Sequence, residues 1–273
     1  MYKKFYHLKE DPFNITSDPA FFFPSARHEE AFVHLMYGIE NRKGIIVITG
    51  EIGTGKTTLC RALLNKLDDR IKTALILNPS FSDLQLLQMI IRDLGIVCTK
   101  TSKLDLVGTI TQFLLEQSMR GNNVAVVIDE CQNLNICQLE QIRLLSNLET
   151  EKEKLLQIIL VGQPELSEKL KNPALRQLNQ RVTVRYHILP LLKDEIGEYV
   201  SHRLKVAQAD QRLHFTAEAI ETVFEYSQGT PRIINILCDR ALLAGFVRET
   251  FIIDDQLVHT CAKEVQTVYE HHS

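Results

Sequence analysis

Four mostly apolar runs recur along the first two thirds of the chain, and longer amphipathic stretches separate them. Ile45-Ile46-Val47-Ile48 reads as a buried strand, followed by Thr73 to Leu77, Val124 to Ile128 and Leu156 to Val161. Such runs suit strands covered on both faces. Val182 to Ile188 alternates and reads as a fifth strand. Between them, Leu59 to Leu67, Ser82 to Leu94, Lys103 to Met119 and Leu134 to Leu148 carry helical periodicity, with Gly95 and Gly121 as stops. Ahead of the first strand, Ser25 precedes a helical pattern with Glu29 and apolar Ala31, Phe32, Leu35, Met36 and Ile39. Asp11-Pro12-Phe13 and Ser17-Asp18-Pro19 mark turns, and Phe21-Phe22-Phe23 is read as a packing cluster. Strands alternating with helices predict an α/β fold with a parallel sheet covered on both faces.

The pattern changes after Leu189-Pro190-Leu191. No further strand is expected. Glu195 to Ala207, Thr216 to Ser227, Pro231 to Arg248 and Asp254 to Val268 all read as helices, with Gly229-Thr230-Pro231 separating two of them. The expected organisation is an α/β domain over residues 1–190, which includes an N-terminal segment 1–43, and a small helical domain over 191–273. No internal repeat or low-complexity tract interrupts this plan.

Composition narrows the function classes. The 273 residues are 45% hydrophobic, ample for a large core. Lys+Arg 31 against Asp+Glu 34 leaves a net charge of -3, which argues against a dedicated nucleic-acid carrier. The six cysteines, Cys60, Cys98, Cys131, Cys137, Cys238 and Cys261, include no C-x-x-C pair, so neither zinc nor thioredoxin-like chemistry is indicated. Free thiols in apolar stretches fit a reducing, cytosolic compartment. The N-terminus lacks the apolar region of a signal peptide, and no apolar run approaches a membrane span. His271-His272 is read as a chain end rather than a metal site.

The chemistry is concentrated in five segments. Gly50-Glu51-Ile52-Gly53-Thr54-Gly55-Lys56-Thr57 matches G-x-x-x-x-G-K-[ST] between a strand and a helix, the context a phosphate-binding loop needs. Its glycines let N–H groups turn around phosphate oxygens at a helix N-terminus. Lys56 would reach the β- and γ-phosphates, and the Thr57 hydroxyl would hold Mg²⁺. Next, Val124-Ala125-Val126-Val127-Ile128 delivers Asp129 and Glu130 at a strand end. Asp129 would hold Mg²⁺ through its water shell, and Glu130 would polarise the attacking water. Third, Leu160-Val161-Gly162-Gln163 ends the fourth strand on a polar side chain, where strands of a parallel sheet line a ligand crevice. Gln163 would contact the γ-phosphate or that water. Finally come the arginines. Arg181, in Leu178-Asn179-Gln180-Arg181, is assigned to a neighbouring subunit's nucleotide in trans, with Arg176 and Arg185 as competitors. Arg232, in Gly229-Thr230-Pro231-Arg232, would sense nucleotide within its own chain.

In this order these segments resemble the AAA+ ATPases, and the likeness is closer to the ExeA/GspA (general secretion pathway protein A) family. Phe5-Tyr6-His7-Leu8-Lys9-Glu10-Asp11-Pro12-Phe13, Ser17-Asp18-Pro19 and Pro24-Ser25-Ala26-Arg27-His28-Glu29-Glu30-Ala31 carry it. So do Thr49 through Arg61, including Thr58, and Gly162-Gln163-Pro164-Glu165-Leu166. Asp129-Glu130-Cys131-Gln132-Asn133-Leu134 also fits, with Cys131 where alanine is common. The resemblance implies a P-loop NTPase of three-layer α/β/α build, with a five-stranded parallel sheet and a small all-α lid. It implies Mg²⁺-dependent hydrolysis of ATP by a cytoplasmic, ATP-dependent homo-oligomer, peripheral at the inner membrane through a partner. That partner would be a component of a bacterial secretion or pilus apparatus. Longer family members continue into a membrane span and a peptidoglycan-binding domain. This sequence stops soon after the lid, which suits either a piece of a longer protein or a short form similar to MshM-like pilus-biogenesis ATPases. The alternative of another class is an ATP-dependent DNA-binding regulator of the TnsC-like transposition type, which shares the same core.

Overall fold

In the computed structural model, which describes residues 1–77 and 82–270, the chain divides into two compact units. His271 and His272 lie outside the described residues.

One unit comprises residues 29–52 and 59–188. It is built on β1 (Ile45–Gly50), β2 (Ile71–Ile76), β3 (Asn123–Ile128), β4 (Gln157–Gly162) and β5 (Val182–Ile188), in spatial order β2-β3-β4-β1-β5. Every pairing is parallel, with Val47 opposite Leu160, Val126 opposite Ile158 and Ile76 opposite Ile128. Hydrophobicity sorts the strands by position. The three interior strands, β1, β3 and β4, are buried at every residue. The edge strands, β2 and β5, alternate between less and more exposed positions. That is the burial expected when helices cover both faces.

Helices α4 (Asp83–Asp93), α5 (Lys103–Met119) and α6 (Ile136–Leu145) pack one face through Leu86, Ile90, Ile110, Leu114 and Ile142 against Val126, Ile128 and Leu160. Gly38 of α2 (Ala26–Glu40) lies so close to Ile46 that a Cβ there would come within 2.3 Å of the isoleucine side chain, so α2 covers the opposite face. Helix α3 (Lys56–Lys66) follows β1. The starts of α4 and α6 are fixed by reciprocal capping of Ser82 with Gln85 and Asn135 with Gln138. The second cap moves the start of α6 two residues beyond the expected Leu134, because Cys131–Asn133 form a separate 3₁₀ turn. Two short helices not anticipated from periodicity, α7 (Pro164–Leu170) and α8 (Arg176–Gln180), connect β4 to β5.

The other unit comprises residues 1–28, 53–58 and 189–273. Its helices are α1 (Tyr2–Phe5), α9 (Glu195–Val206), α10 (Ala217–Ser227), α11 (Pro231–Val247) and α12 (Asp255–Glu270). The expectation of no strand after residue 191 is corrected here: β6 (His214–Phe215) and β7 (Ile252–Ile253) form a parallel pair. Each precedes a helix start, and together they tie the beginnings of α10 and α12. Two residues are too few to show a period of two. The N-terminal segment contributes Tyr6, Leu8, Phe13 and Phe21 to this unit's core, beside Ile196, Val223, Ile234 and Leu242. The Tyr6 hydroxyl lies 3.1 Å from the Leu242 carbonyl and 3.0 Å from that of Thr250, and burial pushes its pKa up to about 12. Arg203 of α9 brackets the same segment, donating to the Pro12 carbonyl at 2.5 Å and the Asn14 carbonyl at 2.9 Å. Its guanidinium stacks 4.8 Å from the centre of the Phe21 ring. Among the described residues, no helix is long and apolar enough to cross a membrane.

Candidate functional site

The loop after β1 is shaped by its glycines. Gly53 and Gly55 adopt φ of +81° and +90°, a region that side chains with a Cβ disfavour. Between them Thr54 is fully buried. Lys56 is the first residue of α3 and is only 6% exposed, with Thr57 and Thr58 following in the same turn. That first turn contains no acidic residue. A lysine at the positive end of a helix opposes the dipole, an arrangement that favours an anion in front of it. Glu51 and Ile52 are exposed at the outer part of the loop.

Two groups of the same unit brace this loop. The backbone N–H of Arg232, the second residue of α11, donates to the Gly53 carbonyl at 3.2 Å. The approach is close enough that a Cβ on Gly53 would fall 2.6 Å from the Arg232 Cβ. The Arg232 residue itself is exposed. On another side, His28 Nε2 lies 2.9 Å from the Thr54 carbonyl and Nδ1 lies 2.7 Å from the Ser25 hydroxyl. His28 is only 4% exposed, and burial holds its pKa below the usual value against the opposing pull of the Thr54 carbonyl and Glu195.

In the sheet unit, the parallel strands send Gly50, Asp129 and Gln163 out of the same edge, from β1, β3 and β4. Asp129 is 2% exposed; its Oδ1 accepts the Glu130 N–H at 2.8 Å. Glu130 is left-handed, with φ 54° and ψ 36°, at a backbone cost of about 1–2 kcal/mol for a residue with a Cβ. Its carboxylate is held by two amides. Gln132 donates to Oε2 at 2.5 Å, and the Gln163 side chain approaches the same oxygen at 3.4 Å. Gln132 also accepts the backbone N–H of Gln163 at 3.1 Å, so it ties the two strand ends together. Lys169 donates to the carbonyls of Gln132 and Leu134 from α7. The neighbouring Cys131 thiol is buried, which pushes its pKa well up and keeps it unreactive.

The remaining arginines lie around α8. Arg181 caps the helix, with Nη1 3.5 Å from the Ser146 hydroxyl. Arg176 is exposed at the helix start. Arg185 donates to the Asn179 side chain at 2.5 Å, and desolvation lowers its pKa. Thus Glu130 and Gln163 are brought together, and Arg232 meets the glycine loop through its backbone. Arg181 is directed to a side chain of its own chain. Neither His28 nor Gln132 carries a sequence signal of function, although both fall inside the motif segments 24–31 and 129–134. Only the fold reveals that their side chains reach a loop and a second strand end.

The AAA domain family matches residues 39–170. General secretion pathway protein A of Aeromonas hydrophila is 44% identical over 269 residues, 98% of this chain and 49% of that protein. The chain therefore spans about half the length of the curated relative it matches. Among solved structures, Cdc6p from Pyrobaculum aerophilum gives a TM-score of 0.70 at 19% identity, covering 91% of this chain and 71% of that one. The Aeropyrum pernix ORC2 protein in ADPNP–ADP complexes gives 0.68 at 14%, covering 88% and 68%. A Thermotoga maritima RuvB mutant gives 0.58 at 17%, covering 86% and 68%. At these identities the likeness establishes the fold: a P-loop NTPase of AAA+ type, with a five-stranded parallel sheet between helical layers and a largely helical C-terminal region.

Proposed function

We propose that this chain, an AAA+ protein related to general secretion pathway protein A, binds ATP with Mg²⁺ and hydrolyses the β–γ phosphoanhydride to drive or regulate assembly of a bacterial secretion or pilus apparatus. The observation that carries this reading is the loop after β1. Its two left-handed glycines and buried Lys56 sit at the N-terminus of α3, whose first turn carries no acidic residue. In this reading Gly50 to Thr58 cradle the phosphates, and Lys56 bridges the β- and γ-oxygens. The Thr57 hydroxyl and the Asp129 carboxylate are hard oxygen donors, the chemistry Mg²⁺ prefers, with water completing its shell. Bound Mg²⁺ would neutralise phosphate charge.

Glu130 is the general base that orients the attacking water. The amides of Gln132 and Gln163 hold its carboxylate in place at the ends of β3 and β4. Arg232 senses nucleotide in its own chain, and Arg181 completes a neighbour's site in an ATP-dependent homo-oligomer. The protein acts in the cytoplasm, peripheral to the inner membrane through an envelope-assembly partner.

Glu130→Gln separates binding from chemistry. It keeps size and hydrogen bonding but removes the anionic acceptor. Turnover should fall by about a hundredfold or more while Mg²⁺-ATP still binds. Steady-state phosphate release within a fewfold of wild type would exclude Glu130 as the base.

A further inference from the structure

We infer that His28 is a positioning residue of the phosphate loop: by donating from Nε2 to the Thr54 carbonyl, it fixes the peptide plane between Thr54 and Gly55. This inference rests on the nucleotide-binding reading above. The peptide is flanked by Gly53 and Gly55, both left-handed, and glycine leaves the chain unusually free to turn a peptide plane over. In a trans peptide the carbonyl and the following N–H point in opposite directions. Holding the Thr54 carbonyl toward His28 therefore aims the Gly55 N–H away from the imidazole, toward the side where the loop's donors receive phosphate. A flipped plane would present an oxygen there and repel the anion.

The surrounding contacts suit such an anchor. Thr54 is fully buried, so its carbonyl needs a partner. The carbonyl can only accept, so Nε2 carries the proton. Nδ1 is then the acceptor, and the Ser25 hydroxyl at 2.7 Å is its donor. Burial keeps the ring neutral, with one donor and one acceptor, as this chain of bonds requires. The ring is also wedged closely: a Cβ on Gly55 would lie 3.2 Å from Nε2, and Phe22 meets the imidazole edge-on with centroids 5.8 Å apart. Ser25 is itself buried at the start of α2. The N-terminal segment thereby acts on the loop without touching substrate.

The position of the donor supplies the test. In glutamine the side-chain amide nitrogen reaches the place of Nε2; in asparagine it stops near Nδ1. His28→Asn should weaken Mg²⁺-ATP binding by about tenfold or more, the scale of a lost buried hydrogen bond. At saturating ATP its kcat should stay within about twofold of wild type, because the chemical groups are untouched. His28→Gln should recover most of the affinity, and Ser25→Ala should show a smaller loss than His28→Asn. Calorimetry and steady-state kinetics on the full chain read these values, with thermal melts checking the fold. Equal affinities for the two variants, or a loss confined to kcat, would make His28 a packing residue and overturn the inference. A second measurement needs no variant: ¹⁵N-imidazole NMR of the wild-type protein should show the Nε2–H tautomer for His28, and the Nδ1–H tautomer would equally overturn it. If wild type failed to bind Mg²⁺-ATP, the nucleotide reading itself would fall. If wild type bound and the variants did not separate, only the role of His28 would.

Discussion

At the scale of single residues, backbone conformation limits what the loop accepts. Gly53 combines a positive φ with a neighbour only 2.6 Å from where a Cβ would be, on Arg232. Gly53→Ala would add about 1–2 kcal/mol of backbone strain and force α11 or the loop to shift. We expect Mg²⁺-ATP affinity to fall by about tenfold or more, measured by calorimetry on a variant shown by circular dichroism to be folded. Unchanged affinity would mean that the loop is not held in the conformation described. The same scale shows what the sequence could announce. Gly50, Gly53, Gly55, Lys56, Thr57, Asp129 and Glu130 are legible because their spacing is tied to a strand end and a helix start. His28 and Gln132 are not, because their meaning lies in partners distant in sequence or across strands: Thr54 for one, the Gln163 backbone for the other.

At the scale of elements, legibility follows burial. Strands β1, β3 and β4 are buried throughout and appear in the sequence as apolar runs. The edge strand β5 alternates in exposure and is equally readable. The order β2-β3-β4-β1-β5 was not readable, since it depends on which crossovers fill which side of the sheet. Helices α7 and α8 escaped because seven and five residues give too few turns for a period of 3.6. Local chemistry starts them instead: Pro164 at the first position of α7, and the Asn172-capped Pro173 turn ahead of α8. The join between α10 and α11 shows the same dependence on local geometry. Gly229 has φ +76°, and a Cβ there would sit 2.1 Å from the Leu191 carbonyl oxygen. This tight turn starts α11, which brings the Arg232 N–H to the Gly53 carbonyl.

At the scale of the whole molecule, the proposed cycle needs more than one copy. If Arg181 completes a neighbour's site, Arg181→Ala subunits retain Glu130 but lack the arginine, and Glu130→Gln subunits retain the arginine but lack the base. Mixing the two should restore part of the ATPase activity. If light scattering shows that they co-assemble and the mixture stays inactive, Arg181 does not act in trans. Beneath every such arrangement lies the claim that the loop from Gly50 to Thr57 binds nucleotide phosphate. The most direct test is titration of Mg²⁺-ATP into the wild-type chain and into Lys56→Ala, by calorimetry, with melting curves confirming that both are folded. Saturable binding to wild type is expected, with loss or severe weakening of it in Lys56→Ala; equal affinity in the two folded proteins would show that this loop does not hold the phosphates.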